Sequence, residues 1–312
     1  MDRVLRTLTF AAAALACSGS AHAQGVRVPG TSVTLTPPDG FSAARRYPGF
    51  ERPDAQASII VTELPVSATD MLRSMTAPAL ADEGMTLRSS RDVVVGKHSG
   101  RLLQIHQEGQ GGPVLKWMLV AGDAKMTIMI VGTVPEGASS DLSDALRQSV
   151  LTASWGSALP PSPFEGLPFR LTPTAKLKLA RRQSNMLMFS ESGTTGSPGS
   201  TEALYIAGQS VGQGRIDDMQ LFSEARAKQT TLANGVGNFK GRAIQVDGAA
   251  AYELEADAVD ARNGKPMRIY QVIIADEGGY FILQGLSRAD RADQMFREFR
   301  ALTSSFHRVT SQ

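Results

Sequence analysis

Cysteine is almost missing: Cys17 is the only one in 312 residues. If an N-terminal leader is cleaved after Ala23, the remaining chain has none. Disulfides, thiol nucleophiles and cysteine metal sites are then excluded. Histidine is nearly as scarce, with His98, His106 and His307 beyond that point. None of the three has a second ligand at metal-site spacing, so neither a metal nor any other cofactor is expected. No segment is an apolar run long enough to span a bilayer. Charge of one sign is also lacking, with 32 basic residues against 30 acidic ones. There is no basic patch interleaved with aromatics, which argues against nucleic acid as a partner. The glycines of "GVGNFKG" (235–241) are misplaced for a dinucleotide fingerprint.

What is present begins with an export signal. Arg3 and Arg6 precede the apolar "LTFAAAALA", and Ala21-His22-Ala23 offers a small-residue cleavage site. This is the pattern of a secretory leader over residues 1–23, and it predicts a periplasmic or secreted protein. A second route, lipid anchoring through Cys17 after Ala-Leu-Ala, is weakened by Ala14 standing where the best such sites have Leu. Cleavage after Ala23 removes Arg3, Arg6 and Asp2, so 30 basic residues face 29 acidic ones. No global field for an anionic membrane remains.

The chain repeats itself. "LTPPDGFSAARR" (35–46) and "LTPTAKLKLARR" (171–182) share six of twelve letters at an offset of 136. The copies close on "LTASW" (151–155) and "LTSSF" (302–306), an offset of 151, so the second is 15 residues longer. The Gly/Ser/Thr run "SESGTTGSPGS" (190–200) accommodates the surplus. "WMLVAGDAKMTIMIVG" (117–132) answers "YQVIIADEGGYFILQG" (270–285), each a pair of β-rich runs around a turn. The Pro-rich "GSALPPSPFEGLP" (156–168) reads as a semi-rigid linker. The expected units are therefore 24–155 and 169–312.

Each copy runs strands, helix, strands, helix. The first helix of copy one falls within 68–83, with Ser67 and Asp70 spaced as a capping box, Gly84 as its stop and Pro78 to kink or split it. The closing helices bury Leu142, Ala145, Leu146, Ser149 and Val150 in one copy, and Ala292, Met295, Phe296 and Phe299 in the other. Sheet with a few helices in this order makes an α+β layered unit.

Those residues carry a resemblance. The "SVTLTPPDGFSAARR" strands, the helix, the "LKWMLVAGDAKMTIMIVG" hairpin and the closing "LTASW" helix resemble the PsbP-like α/β/α sandwich superfamily, well in copy one and more loosely in copy two. Its members include extrinsic photosystem subunits, a nuclear-import factor, periplasmic lipoproteins and secretion-effector chaperones. The resemblance implies two tandem α/β/α sandwich domains, each a mainly antiparallel sheet packed with helices. It also implies a binding module without catalytic machinery, whose expected partner is an envelope protein. Fold alone does not choose that partner.

Four patterns remain as candidate chemistry. Read as strands, the Arg-Arg pairs split between faces. Arg45 and Arg181 close the faces of Phe41, Ala43 and of Leu177, Leu179, where either could touch a ligand, while Arg46 and Arg182 extend solvated faces. Gly208-Gln209-Ser210-Val211-Gly212 fits G-x-S-x-G, with Asp276 and His307 downstream, and so offers a serine-hydrolase alternative. Against it, no oxyanion segment precedes it, and the repeat aligns it with the plain loop "VTELPVSATD" (61–70). In "YELEAD" Glu253, Glu255 and Asp257 share one strand face, roughly 6.5–7 Å apart. They are expected to be solvated, with a glycosidase pair, a calcium site or pairing with Lys176, Lys178 and Arg182 as alternatives. The "MLM" of 186–188 reads as core filler, and Met-rich walls between sheet and helix would also suit a carrier of lipid or another apolar ligand.

Overall fold

The computed structural model describes residues 25–109, 111–156, 162–194, 202–211 and 214–309. The leader, Cys17, the linker core 157–161, the insertion at 195–200 and Gly212 lie outside the described residues.

The N-terminal copy begins with β1 (Val26–Arg27), β2 (Val33–Leu35), β3 (Ser42–Ala43), β4 (Gly49–Arg52) and β5 (Ala57–Leu64). Then come α1 (Ala68–Ser74), α2 (Ala77–Asp82), β6 (Met85–Val95), β7 (His98–Gly109), β8 (Gly112–Gly122), β9 (Thr127–Pro135), α3 (Ser140–Leu151) and β10 (Ser154–Trp155). The C-terminal copy has β11 (Phe169–Arg170), β12 (Lys178–Gln183), β13 (Met186–Ser190), β14 (Leu204–Gln209) and α4 (Met219–Lys228). It continues with β15 (Ala233–Val246), β16 (Ala249–Asp260), β17 (Pro266–Asp276), β18 (Gly279–Arg288), α5 (Ala292–Ser304) and β19 (His307–Arg308).

The two sheets have seven strands each, in the orders β3-β4-β5-β9-β8-β7-β6 and β12-β13-β14-β18-β17-β16-β15, antiparallel throughout. One order maps onto the other strand for strand, which is the duplication seen in three dimensions. Each sheet carries helices on both faces. In copy one α3 covers Phe50, Ile59, Leu119 and Ile130, while α1 and α2 cover Leu103, Ile105, Met118 and Val120. In copy two α5 covers Tyr270, Val272 and Leu283, and α4 covers Leu254, Ala256 and Ile269. Burial on both faces explains why the central strands read as continuous apolar runs instead of alternating. The fold is α+β, two α/β/α sandwiches in tandem, as the sequence suggested.

Local chemistry sets the element ends. The Ser67 hydroxyl accepts from Asp70 N–H at 3.3 Å, and α1 stops at Ser74. Thr76 recaps the chain for α2, with Pro78 in its first turn, so the proline splits the helix where it has no N–H to lose. Gly84 ends the segment at φ +71°. Both hairpins form, with Asp123 Oδ1 accepting from Lys125 and Met126 N–H in the first, and a two-residue Glu277–Gly278 turn in the second. The glycine closing each hairpin string lies under the last helix. A Cβ on Gly285 would stand 2.4 Å from Phe299 Cδ2, and one on Gly132 would stand 3.3 Å from Leu146 Cδ2. A side chain at Gly285 would overlap the Phe299 ring, whereas one at Gly132 would be a tight contact that Leu146 could yield to.

Candidate functional site

The Arg-Arg pairs are where the copies meet. In copy one β3 ends at Ala43, and Arg45 and Arg46 lie in a bend instead of a strand. The Arg46 side chain, 15% exposed, leaves its own sheet. Its Nη2 donates to Glu277 O in the β17–β18 turn and stands 4.0 Å from Asp276 Oδ2. Asn185 Nδ2 returns a bond to Arg46 O at 2.9 Å, and donates to Gln209 O at 2.6 Å. Gly279 makes room: a Cβ there would sit on the guanidinium.

Arg182, at the aligned position of copy two, does the converse. Its Nε donates to Ser184 O at 2.6 Å and its Nη1 to Glu165 O in the linker turn, while the guanidinium packs on Gly30 of copy one. The Glu165 carboxylate is held in turn by Arg27 of copy one. Burial pulls the Arg182 guanidinium down to about 10. Arg46 and Arg182 are thus not the solvated residues that strand alternation predicts; both sit in the junction between copies.

The faces also differ from expectation. The β12–β13 register shifts between Leu179 and Arg181. Leu179 stands opposite Phe189, and after the bulge it is Arg182 that stands opposite Leu187, with Arg181 opposite Met188. One extra residue exchanges the faces of everything beyond it. Arg181 therefore points away from the core face, donating from Nε to Met188 Sδ at 3.2 Å and from Nη2 to Gln183 Oε1 at 2.8 Å.

A groove of about 570 Å³ runs along this junction. Arg45 is exposed on it, with Arg46, Arg308, Asp247, Asp276 and Glu277, beside Phe281 and Val309. The Arg308 backbone N–H and then its guanidinium hold the Asp247 carboxyl below its ordinary range. Gln209 Nε2 donates to Asp276 Oδ2 at 2.7 Å, while Gln209 Oε1 and Arg46 Nη1 are buried without a hydrogen-bond partner among the described residues.

The acidic stripe is solvated only at its Asp257 end; Glu255 is half-buried and Glu253 is buried. Glu253, 6% exposed, accepts from Arg242 Nε at 3.1 Å, Tyr270 OH at 3.1 Å and Arg300 at 3.4 Å. Glu255 accepts from Arg268 Nη2 at 2.8 Å and from Arg300, and Arg268 also lies 3.3 Å from Asp257. Three arginines, from β15, β17 and α5, thus face three carboxylates. The partners are not Lys176, Lys178 and Arg182, because β12 and β16 are five places apart in the sheet. Among the described residues no group of three His, Cys, Asp or Glu is placed to hold a metal.

Ser210 continues the β14–β18 ladder. Its N–H donates to Tyr280 O at 2.8 Å and its hydroxyl accepts from Tyr280 N–H at 3.1 Å. The histidines have other neighbours. His98 stacks on Trp155 at 4.7 Å, His106 lies between Glu108 and Glu136, and His307 Nδ1 is 3.3 Å from Ser305 O. The structure does not bring a histidine to Ser210 through any described hydrogen bond. No helix among the described residues is long and apolar enough to cross a membrane.

No protein-family profile and no curated protein matches this sequence. Among solved structures the chain is similar to LpqN of Mycobacterium tuberculosis, a protein involved in cell envelope biogenesis, at 15% identity over 46% of this chain and 83% of that one, with a TM-score of 0.34. It is similar to cyanobacterial PsbP of Synechocystis at 14% identity over 45% and 82%, TM-score 0.27. A longer match is the T6SS immunity protein TplEi of Pseudomonas aeruginosa complexed with "L" peptide, at 9% identity over 87% and 99%, TM-score 0.32. PsbP-like structures are therefore among those this chain is similar to, and its two sheets agree with a tandem duplication.

Proposed function

We propose that this chain is an exported, non-catalytic binding module of the cell envelope, which holds a protein partner in the groove between its two sandwiches. The observation that carries the reading is the reciprocal arginine junction. Arg46 reaches into the hairpin turn of copy two, and Arg182 reaches onto Gly30 and the linker turn beside copy one. Both are equivalent residues of the repeat, so duplication supplies both halves of the fastening. A groove fixed in this way needs little ordering when a partner arrives, which favours affinity. Its floor mixes both signs of charge, and Arg45 offers an exposed guanidinium at the rim, suited to a carboxylate on a protein surface.

The serine-hydrolase alternative has less support, because the Ser210 hydroxyl accepts a backbone hydrogen bond and has no described bond to a histidine general base.

The test uses the full tagged chain, crosslinked in the envelope of its own host and analysed by mass spectrometry, beside the full-length Arg45→Glu variant. A stoichiometric protein partner should be recovered with the native chain and lost with the variant. Equal recovery by both, or recovery of the bare chain alone, overturns the reading.

A further inference from the structure

A second cavity, of about 650 Å³, lies under α4 in copy two. That volume falls within the roughly 300–1,000 Å³ of pockets that take small ligands. Its walls are apolar where Met186, Ile216, Phe222, Tyr280 and Ile282 line it, and no carboxylate is among the lining residues. A cation is. Arg226 lies with its guanidinium 5.9 Å from the Tyr280 ring centre, donates from Nη1 to Gln229 Oε1 at 2.6 Å, and has its Nε buried without a partner. No ion pair within 4.0 Å neutralises Arg226 among the described residues. Nearby acids are engaged elsewhere: Asp217 with Arg215, Asp218 with the Leu221 N–H, and Glu224 with Gln220.

The duplication supplies a comparison inside the molecule. Aligning the helices on their N-caps, Ser67 and Asp218, places Met71 where copy two has Phe222 and Met75 where it has Arg226. Met71 and Met75 pack against the apolar cluster beneath α1 and α2. Copy two has thus exchanged an apolar contact for a guanidinium, in a place with no carboxylate to balance it. Partial burial of an unbalanced charge is unfavourable unless something of opposite sign comes to it.

We infer that this cavity binds a single-chain amphiphile with a carboxylate head, the chain lying along Met186, Phe222 and Ile282 and the head meeting Arg226. A guanidinium fork matches a carboxylate in two parallel hydrogen bonds, and apolar walls take the chain. The site adjoins the groove at Arg45, since Gln209 lines both, but it does not depend on a protein partner.

Calorimetric titration of the purified full chain with dodecanoate tests this, with dodecanol as the uncharged control. Saturable one-to-one binding of dodecanoate is expected, with dodecanol at least about tenfold weaker, as the loss of a charge-assisted hydrogen bond implies. Arg226→Met, the residue of copy one, should weaken dodecanoate about tenfold or more and leave dodecanol unchanged, and Arg226→Lys should recover part of the loss. If Arg226→Met fails to fold, Ile216→Asp in the loop at the cavity rim serves instead, placing a like charge that weakens dodecanoate alone. Arg45→Glu should leave the titration unaltered. Equal binding of acid and alcohol, no saturation of dodecanoate by about 1 mM, or indifference to both variants overturns the inference.

Discussion

Asp260 shows what one carboxylate does at the end of a strand. The Arg262 guanidinium grips it, while the Arg262 backbone and Asn263 Nδ2 add further bonds, so the carboxyl is held below its ordinary range although it is only 7% exposed. A carboxyl depressed in the folded state stabilises fully above its unfolded value of about 3.9, and that contribution is lost as pH falls through the folded value. The difference in urea midpoint between the native chain and Asp260→Asn should therefore be constant from about pH 7 to 5 and shrink as pH drops below about 4. A difference that persists unchanged to about pH 2 would show that the carboxylate charge contributes nothing there. The same scale holds the lesson of the acidic stripe. Placing Glu253, Glu255 and Asp257 on one face needs only the period of a strand. Naming Arg242, Arg268 and Arg300 as their partners needs the order of the strands and the position of α5.

Elements were the most legible level. The N-caps at Ser67, Ser139 and Asp218 accept from Asp70, Leu142 and Leu221 N–H, as capping chemistry requires. The stripes of the closing helices are buried at Leu146, Ser149 and Val150 in α3, and at Ala292, Met295, Phe296 and Phe299 in α5. The bulge between Leu179 and Arg181 left no signal in residue type, and it alone exchanged the faces of the two arginines. The repeated glycines offer a test of helix-on-sheet packing. Gly285→Ala drives a methyl into the Phe299 ring, inside a core that has no spare volume, and should cost about 1–3 kcal/mol in denaturant unfolding. Gly132→Ala meets Leu146 Cδ2 at 3.3 Å, with Leu146 Cβ and Val150 Cγ1 at ordinary contact distance, and should cost less than about 1 kcal/mol. Equal costs would mean that the two helices do not approach their sheets differently.

At the scale of the molecule the question is whether the two sandwiches act as one. Each has its own cores on both sides of its sheet. What joins them is a polar junction of a few side chains, centred on Arg46, Asn185 and Arg182. Units of this size with small, polar contacts move relative to one another unless something fastens them. Arg46→Ala with Arg182→Ala should leave both units folded but uncoupled. Calorimetry should then resolve two unfolding transitions where the native chain gives one, and solution scattering should show a larger radius of gyration. A single transition unchanged in the double variant would place the coupling elsewhere.

Letters close together in the chain set the order of elements, the duplication, the bounds of the 68–83 helical segment and the buried stripes. These follow from capping, turn chemistry and periodicity, which act over a few residues and are written in neighbouring letters. The repeated Arg-Arg was visible as a signature of the repeat, but its use was not. It took the packed molecule to show that Arg46 and Arg182 fasten one copy to the other, that three arginines face the acidic stripe, and that Arg226 lines a cavity without a counter-charge. Each depends on residues 11 to 231 positions apart, brought together by strand order, or on the packing of helix against sheet. Distances of that kind are set when surfaces meet, and no local pattern encodes them.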